Sequence, residues 1–188
     1  MDELVSFRSD SDCSIYKIVG SDAVSTQRLV ASTPESRLIA NDPFVVGVDY
    51  TARLEAACTR VLKALRPKED LHIRERETAV LHILRGGLNF GLRQALHNAY
   101  HWNSHSSAFI SAQRARRSEN PDEWYISENN YQKVYLGKRV SVIFGDVVAT
   151  GTSLEFALNR LLEIILESGG SLTSVIFFTI GGVRSEEI

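Results

Sequence analysis

The chain has 188 residues, 44% apolar and 23% charged, with a formal net charge of −2. That length suits one domain with a real core, and nothing in the near-neutral balance argues for nucleic acid or an anionic membrane as the main partner. No apolar run approaches the roughly 20 residues of a membrane span, and the acidic, polar start from Met1 to Asp12 is no signal peptide.

Residues 1–42 are rich in Ser, Asp and Thr, with apolar islands such as Ile15-Tyr16-Lys17-Ile18-Val19. The segment up to residue 45 is expected to be irregular surface structure or a small subdomain. Cys13 and Cys58 have no paired spacing and no His or Cys neighbours at zinc-site distances, so they read as free thiols of a reducing cytoplasm. From Tyr50 to Leu65 the residues Leu54, Ala57, Cys58, Val61, Leu62 and Leu65 recur at helical spacing. Asp49 is the expected cap and Pro67 the stop.

The pattern then changes. Val80 to Leu84 predicts a strand ending at Arg85-Gly86-Gly87, followed by a helix from about Phe90 to Tyr100. His97, His101 and His105, four residues apart, read as a polar helix face rather than zinc ligands, since no acid lies between them at zinc-protease spacing. Ala108-Phe109-Ile110 predicts a second strand and Val140 to Phe144 a third, ending at Gly145-Asp146. An amphipathic helix follows from about Ser153 to Glu167, closed by Gly169-Gly170 in the left-handed manner of helix ends. Val175 to Phe178 predicts a fourth strand.

Alternating strands and helices predict an α/β fold, a parallel sheet with right-handed crossovers in a single domain over 1–188. Strands this apolar should be covered on both faces, and ligands of such sheets bind at the carboxyl ends of the strands. One segment departs from a minimal fold. Residues 113–138 have weak periodicity and carry Arg114, Arg116, Arg117, Trp124, Tyr125 and Tyr131, which predicts a mobile basic loop or long hairpin over the site.

The centre of the sequence is Gly145-Asp146-Val147-Val148-Ala149-Thr150-Gly151-Thr152-Ser153-Leu154. A buried strand delivers the Asp146 carboxylate, a turn of small and hydroxylated residues follows, and a helix begins. N–H groups at a helix start favour an anion. Gly151 lets the backbone approach a phosphate, and Thr150, Thr152 and Ser153 add hydroxyl donors. Asp146 stands where it can accept from sugar hydroxyls. Helix capping alone would not need three hydroxyls, a glycine and an acid so close together. A Walker-type loop requires Lys where Thr152 stands, and Gly86, Gly87 and Gly91 have the wrong spacing for a dinucleotide fingerprint.

This strand, acid, Val-Val-Ala-Thr-Gly-Thr-Ser turn and helix resemble the ribose-phosphate signature of type I phosphoribosyltransferases. Val80 to Leu92 resembles the family's pyrophosphate loop, nearest to that of uracil phosphoribosyltransferases, and the basic stretch after Phe109-Ile110 resembles its flexible catalytic loop. The resemblance implies transfer of ribose 5-phosphate from phosphoribosyl pyrophosphate to a nucleobase-like acceptor, uracil being the nearest match. Residues 149–153 would hold the 5-phosphate, with Val147 in the same turn, and Asp146 the ribose. Arg85, Gly86 and Gly87 would hold pyrophosphate, with a strained cis peptide near Leu84-Arg85. Arg114, Arg116 and Arg117 would close over the site. Mg²⁺ would come with the pyrophosphate, so no protein metal site is assigned. A cytoplasmic location and a homodimer are implied by the same analogy.

Two features depart from the family. Many members place two acids at the strand end, whereas here Gly145 takes the first position and only Asp146 remains. Arg184 to Ile188 reads as the capped start of a further helix, so the chain is expected to be either a fragment or an unusually short domain, without the C-terminal base-recognition region of the uracil enzymes. The sequence therefore supports two functions, an active phosphoribosyltransferase and a binder of nucleotide or phosphoribosyl pyrophosphate without turnover. An α/β domain with no ligand is the plain alternative.

Overall fold

The structure is a computed structural model and describes residues 3–20, 26–68, 70–84, 90–120, 122–147 and 151–180. The chain divides into two compact units, one formed by residues 1–72 and 91–102, the other by 73–90 and 103–188.

In the first unit, β1 (Glu3–Ser9), β2 (Ser14–Val19) and β3 (Leu29–Ser32) form an antiparallel sheet in that order. The polar N-terminal segment, expected to be irregular, is therefore regular. Its short apolar islands alternate: Ile15 is fully buried, and packs with Cys13 and Leu65 against Phe7, Leu29 and Ala31. Helix α1 (Pro34–Asn41) begins at a capping box, Thr33 Oγ1 accepting from Ser36 N while Ser36 Oγ accepts from Thr33 N. Helix α2 spans Gly47–Leu65, starting three residues before the expected Tyr50. Its N-cap is Val46, with no side-chain cap, and Asp49 instead lies in the first turn, 2.8 Å from Arg53 on the same face. Pro67 falls in a 3₁₀ turn, Arg66–Lys68, that ends the helix as predicted. Helix α3 (Leu92–Tyr100) packs on α2 through a row of small and apolar residues, Leu92, Ala95, Leu96 and Ala99. It ends at His101, whose φ is 62°. His101 and His105 thus lie beyond the helix and do not share a face with His97, contrary to expectation. The His97 ring meets the Trp102 carbonyl at 3.0 Å.

In the second unit, β4 (Thr78–Leu84), β5 (Ser106–Ser111), β8 (Gln132–Val134), β9 (Arg139–Gly145) and β10 (Ser171–Phe178) form one sheet in the order β10-β9-β4-β5-β8. The four strands predicted from sequence pair in parallel; β8 is an antiparallel edge on β5. Helix α4 (Thr152–Glu167) covers one face, with Leu154, Ala157, Leu161 and Ile165 on Leu81, Ile110, Val142 and Phe144. Val80 and Ile143, on the opposite face, are equally buried. This two-sided burial is why these strands read as continuous apolar runs. The stretch 113–138 resolves into the hairpin alternative: β6 (Gln113–Arg116) pairs antiparallel with β7 (Trp124–Glu128), and the pair contacts α4. Among the described residues no helix is long and apolar enough to cross a membrane.

Candidate functional site

The predicted turn leaves the sheet at the carboxyl end of β9, where the parallel crossover to α4 begins. Asp146 follows the last residue of β9 and is only 6% exposed. Its backbone N–H donates to the Phe178 carbonyl at 3.1 Å, extending the β9–β10 ladder, and its Oδ1 accepts from Val147 N at 2.8 Å. The carboxylate is thus fixed at the strand end rather than swinging on a loop.

After residues outside the described set the chain returns at Gly151, the N-cap of α4. Its φ of 80° lies in the left-handed region that favours glycine, and it contributes no capping side chain. Ser153, on the first turn of α4, is fully buried, and its Oγ has no hydrogen-bond partner among the described residues. Buried hydroxyls are normally paired, so an orphaned one at an uncapped helix start is a polar group awaiting a partner. Thr152 precedes it, half-buried.

Gly145 explains the single acid. A Cβ built there would lie 2.2 Å from Phe90 Cγ and 2.6 Å from Phe90 Cβ. Phe90, expected as the first residue of a helix, lies before it as a buried ring laid against the strand backbone. Position 145 therefore has no room for a side chain, and Asp146 is the one carboxylate this strand end presents. Among the described residues no three His, Cys, Asp or Glu side chains gather as a metal would require.

The arginines lie on the hairpin. Arg114 and Arg116, two apart on β6, both approach the Trp124 ring, at 4.5 and 4.9 Å from its centroid. Arg117 pairs with Glu123 at 2.9 Å and sits over Tyr125 at 5.5 Å. These ring contacts run across the antiparallel β6–β7 pairing. Arg85, Gly86 and Gly87, with the Leu84-Arg85 peptide, and Ala149 and Thr150 lie outside the described residues. Of the predicted set, the structure places Asp146 and Val147 just after β9 and Gly151, Thr152 and Ser153 at the start of α4.

Two contributors escaped sequence reasoning. Phe90 was read only as the opening of a helical pattern. Thr179 follows the last residue of β10, and its buried Oγ1 also lacks a hydrogen-bond partner among the described residues. The signal was available, since a hydroxyl residue follows an apolar strand there as Asp146 follows β9.

No protein-family model matches the chain, and no curated protein does. Among solved structures it is similar to a hypoxanthine phosphoribosyltransferase from Staphylococcus aureus, at 17% identity and a TM-score of 0.42 over 66% of this chain and 62% of that one. It is also similar to a hypoxanthine-guanine phosphoribosyltransferase from Bacillus anthracis, at 19% identity and a TM-score of 0.40 over 66% of this chain and 68% of that one. The alignment thus spans less than two thirds of the Staphylococcus enzyme.

Proposed function

We propose that the β9–α4 turn binds the 5-phosphate of a ribose ester and that the chain transfers ribose 5-phosphate from phosphoribosyl pyrophosphate to a nucleobase-like acceptor. The observation that carries this reading is the juxtaposition of a buried carboxylate, Asp146, with a helix start that has no side-chain cap and an orphaned buried hydroxyl, Ser153. The helix start and Ser153 take the phosphate. Asp146 accepts from ribose hydroxyls and stabilises positive charge developing on the sugar ring. In the transfer, the bond from ribose C1 to the pyrophosphate oxygen breaks, a bond from C1 to the acceptor nitrogen forms, and that nitrogen's proton leaves. Arg85, with Gly86 and Gly87, holds the departing pyrophosphate, and Arg116 and Arg117 close from the hairpin. Mg²⁺ bound to the pyrophosphate would supply neutralisation of its charge, with no protein ligand assigned to it. A cytoplasmic location, a homodimer and uracil as acceptor complete the reading.

Gly145 favours a second reading, in which the chain binds nucleotide or phosphoribosyl pyrophosphate without turnover, because the packing of Phe90 leaves the strand end one carboxylate. Calorimetry with phosphoribosyl pyrophosphate and Mg²⁺ tests both. Asp146→Asn and Ser153→Ala should each weaken binding by about tenfold, and wild-type affinity in both variants would remove the site. Pyrophosphate release with uracil, hypoxanthine or guanine supports the transferase; binding without release for any base supports the second reading.

A further inference from the structure

Thr179 Oγ1 is a second buried hydroxyl at this end of the sheet that has no hydrogen-bond partner among the described residues. Its place follows from the register. Strands β9 and β10 run parallel with Phe177 opposite Phe144 and Phe178 opposite Gly145, and the hydrogen bond from Asp146 N to the Phe178 carbonyl closes that last pair. Thr179 is thus the residue next to the one whose carbonyl Asp146 N meets, so the two strand ends carry Asp146 and Thr179 at neighbouring places. Two residues earlier on each chain, Phe144 and Phe177 stack at 4.6 Å between centroids on the face that α4 covers. The opposite face at the same level is closed by Phe90 on Gly145.

We propose that Thr179 binds a sugar hydroxyl, so that Asp146 and Thr179 together recognise a vicinal diol and the site selects ribose 5-phosphates over their 2-deoxy counterparts. This rests on the ribose-phosphate reading above and extends it. An ionised carboxylate only accepts hydrogen bonds, whereas a threonine hydroxyl both donates and accepts. Neighbouring sugar hydroxyls then bridge the two strand ends, one donating to Asp146 and the other exchanging with Thr179. A site that pairs a buried group with a ligand hydroxyl rejects the analogue lacking it, because its own polar group is left unpaired.

Calorimetry of the full chain with ribose 5-phosphate, 2-deoxyribose 5-phosphate and inorganic phosphate tests this. The wild type should prefer the ribose ester by about tenfold or more. Thr179→Val, which keeps the side-chain shape, should lose that preference while binding inorganic phosphate within about twofold of wild type, and Thr179→Ser should retain it. Ribose 5-phosphate binding by Thr179→Val at wild-type strength overturns the inference. So does a wild type that does not distinguish the two sugars, which needs no variant to fold. If either occurs while Ser153→Ala still weakens phosphate binding, the phosphate site stands and only the role of Thr179 falls. If the wild type binds none of the three ligands, both fall together.

Discussion

Phe90 and Gly145 form a contact that residue types alone do not announce. Glycine at a strand end reads as a turn residue, but here the missing side chain is the space that the ring occupies. Gly145→Ala should therefore cost about 1–3 kcal/mol through overpacking. Most of that cost should vanish in a Phe90→Ala background, as a double-mutant cycle by urea unfolding will read. The cysteines show the opposite relation, since their expectation needed only composition and spacing. Both are free and buried. Burial pushes the Cys58 thiol up to about 12, and burial aided by the Asp10 charge pushes Cys13 up to about 11. Near the ordinary thiol pKa of about 8.5, a thiol reagent should modify the native chain on the order of a hundredfold more slowly than the unfolded chain. Fast labelling of either cysteine in the native state would contradict their placement.

At the scale of elements, what was legible followed burial. The four parallel strands and α4 carry continuous or strongly periodic apolar patterns because the core demands them, and each was predicted within a few residues. The end of α4 was legible for another reason: Gly169 N donates to Leu166 O at 3.0 Å and Gly170 N to Ile165 O at 2.8 Å, a Schellman motif with Gly169 at φ 69°. An added Cβ at Gly169 meets nothing within 4 Å, so Gly169→Ala should report backbone strain alone, about 1 kcal/mol, seen as a melting point about 2–4 °C lower. Less legible were elements whose order comes from partners far along the chain. Strands β1 to β3 are short, half-exposed and serine-rich. The β6–β7 hairpin is organised by Arg114 and Arg116 on Trp124, contacts that no local periodicity encodes. In the candidate site, Asp146, Gly151 and Ser153 stood out in the sequence as residue types that could serve a phosphate when close together, whereas Thr179 required the pairing of two strands.

At the scale of the molecule, the second unit joins two stretches of chain on either side of α3. Glu75, before β4, accepts hydrogen bonds from the backbone N–H groups of Ser104, at 2.6 Å, and Asn103, ahead of β5. These bonds, those of Ser104 first, hold the Glu75 carboxyl below the usual glutamate range. A depressed carboxyl pKa contributes stability that is present above the unfolded value, about 4.3, and is lost as the pH falls through the folded value. Glu75→Gln should therefore lower the melting point at neutral pH, and the difference from wild type should shrink on acidification; a constant difference would assign Glu75 no such role. The ring beside position 145 also constrains how this sequence can change. An acid cannot enter there while Phe90 remains, so acquiring a second carboxylate requires the ring to shrink first. That step alone costs about 3–5 kcal/mol, from a total that in folded domains is about 5–15 kcal/mol. A lineage holding Phe90 is thus separated from the two-acid arrangement by an intermediate close to the limit of folding, and the order of the two substitutions is set before any selection on activity begins.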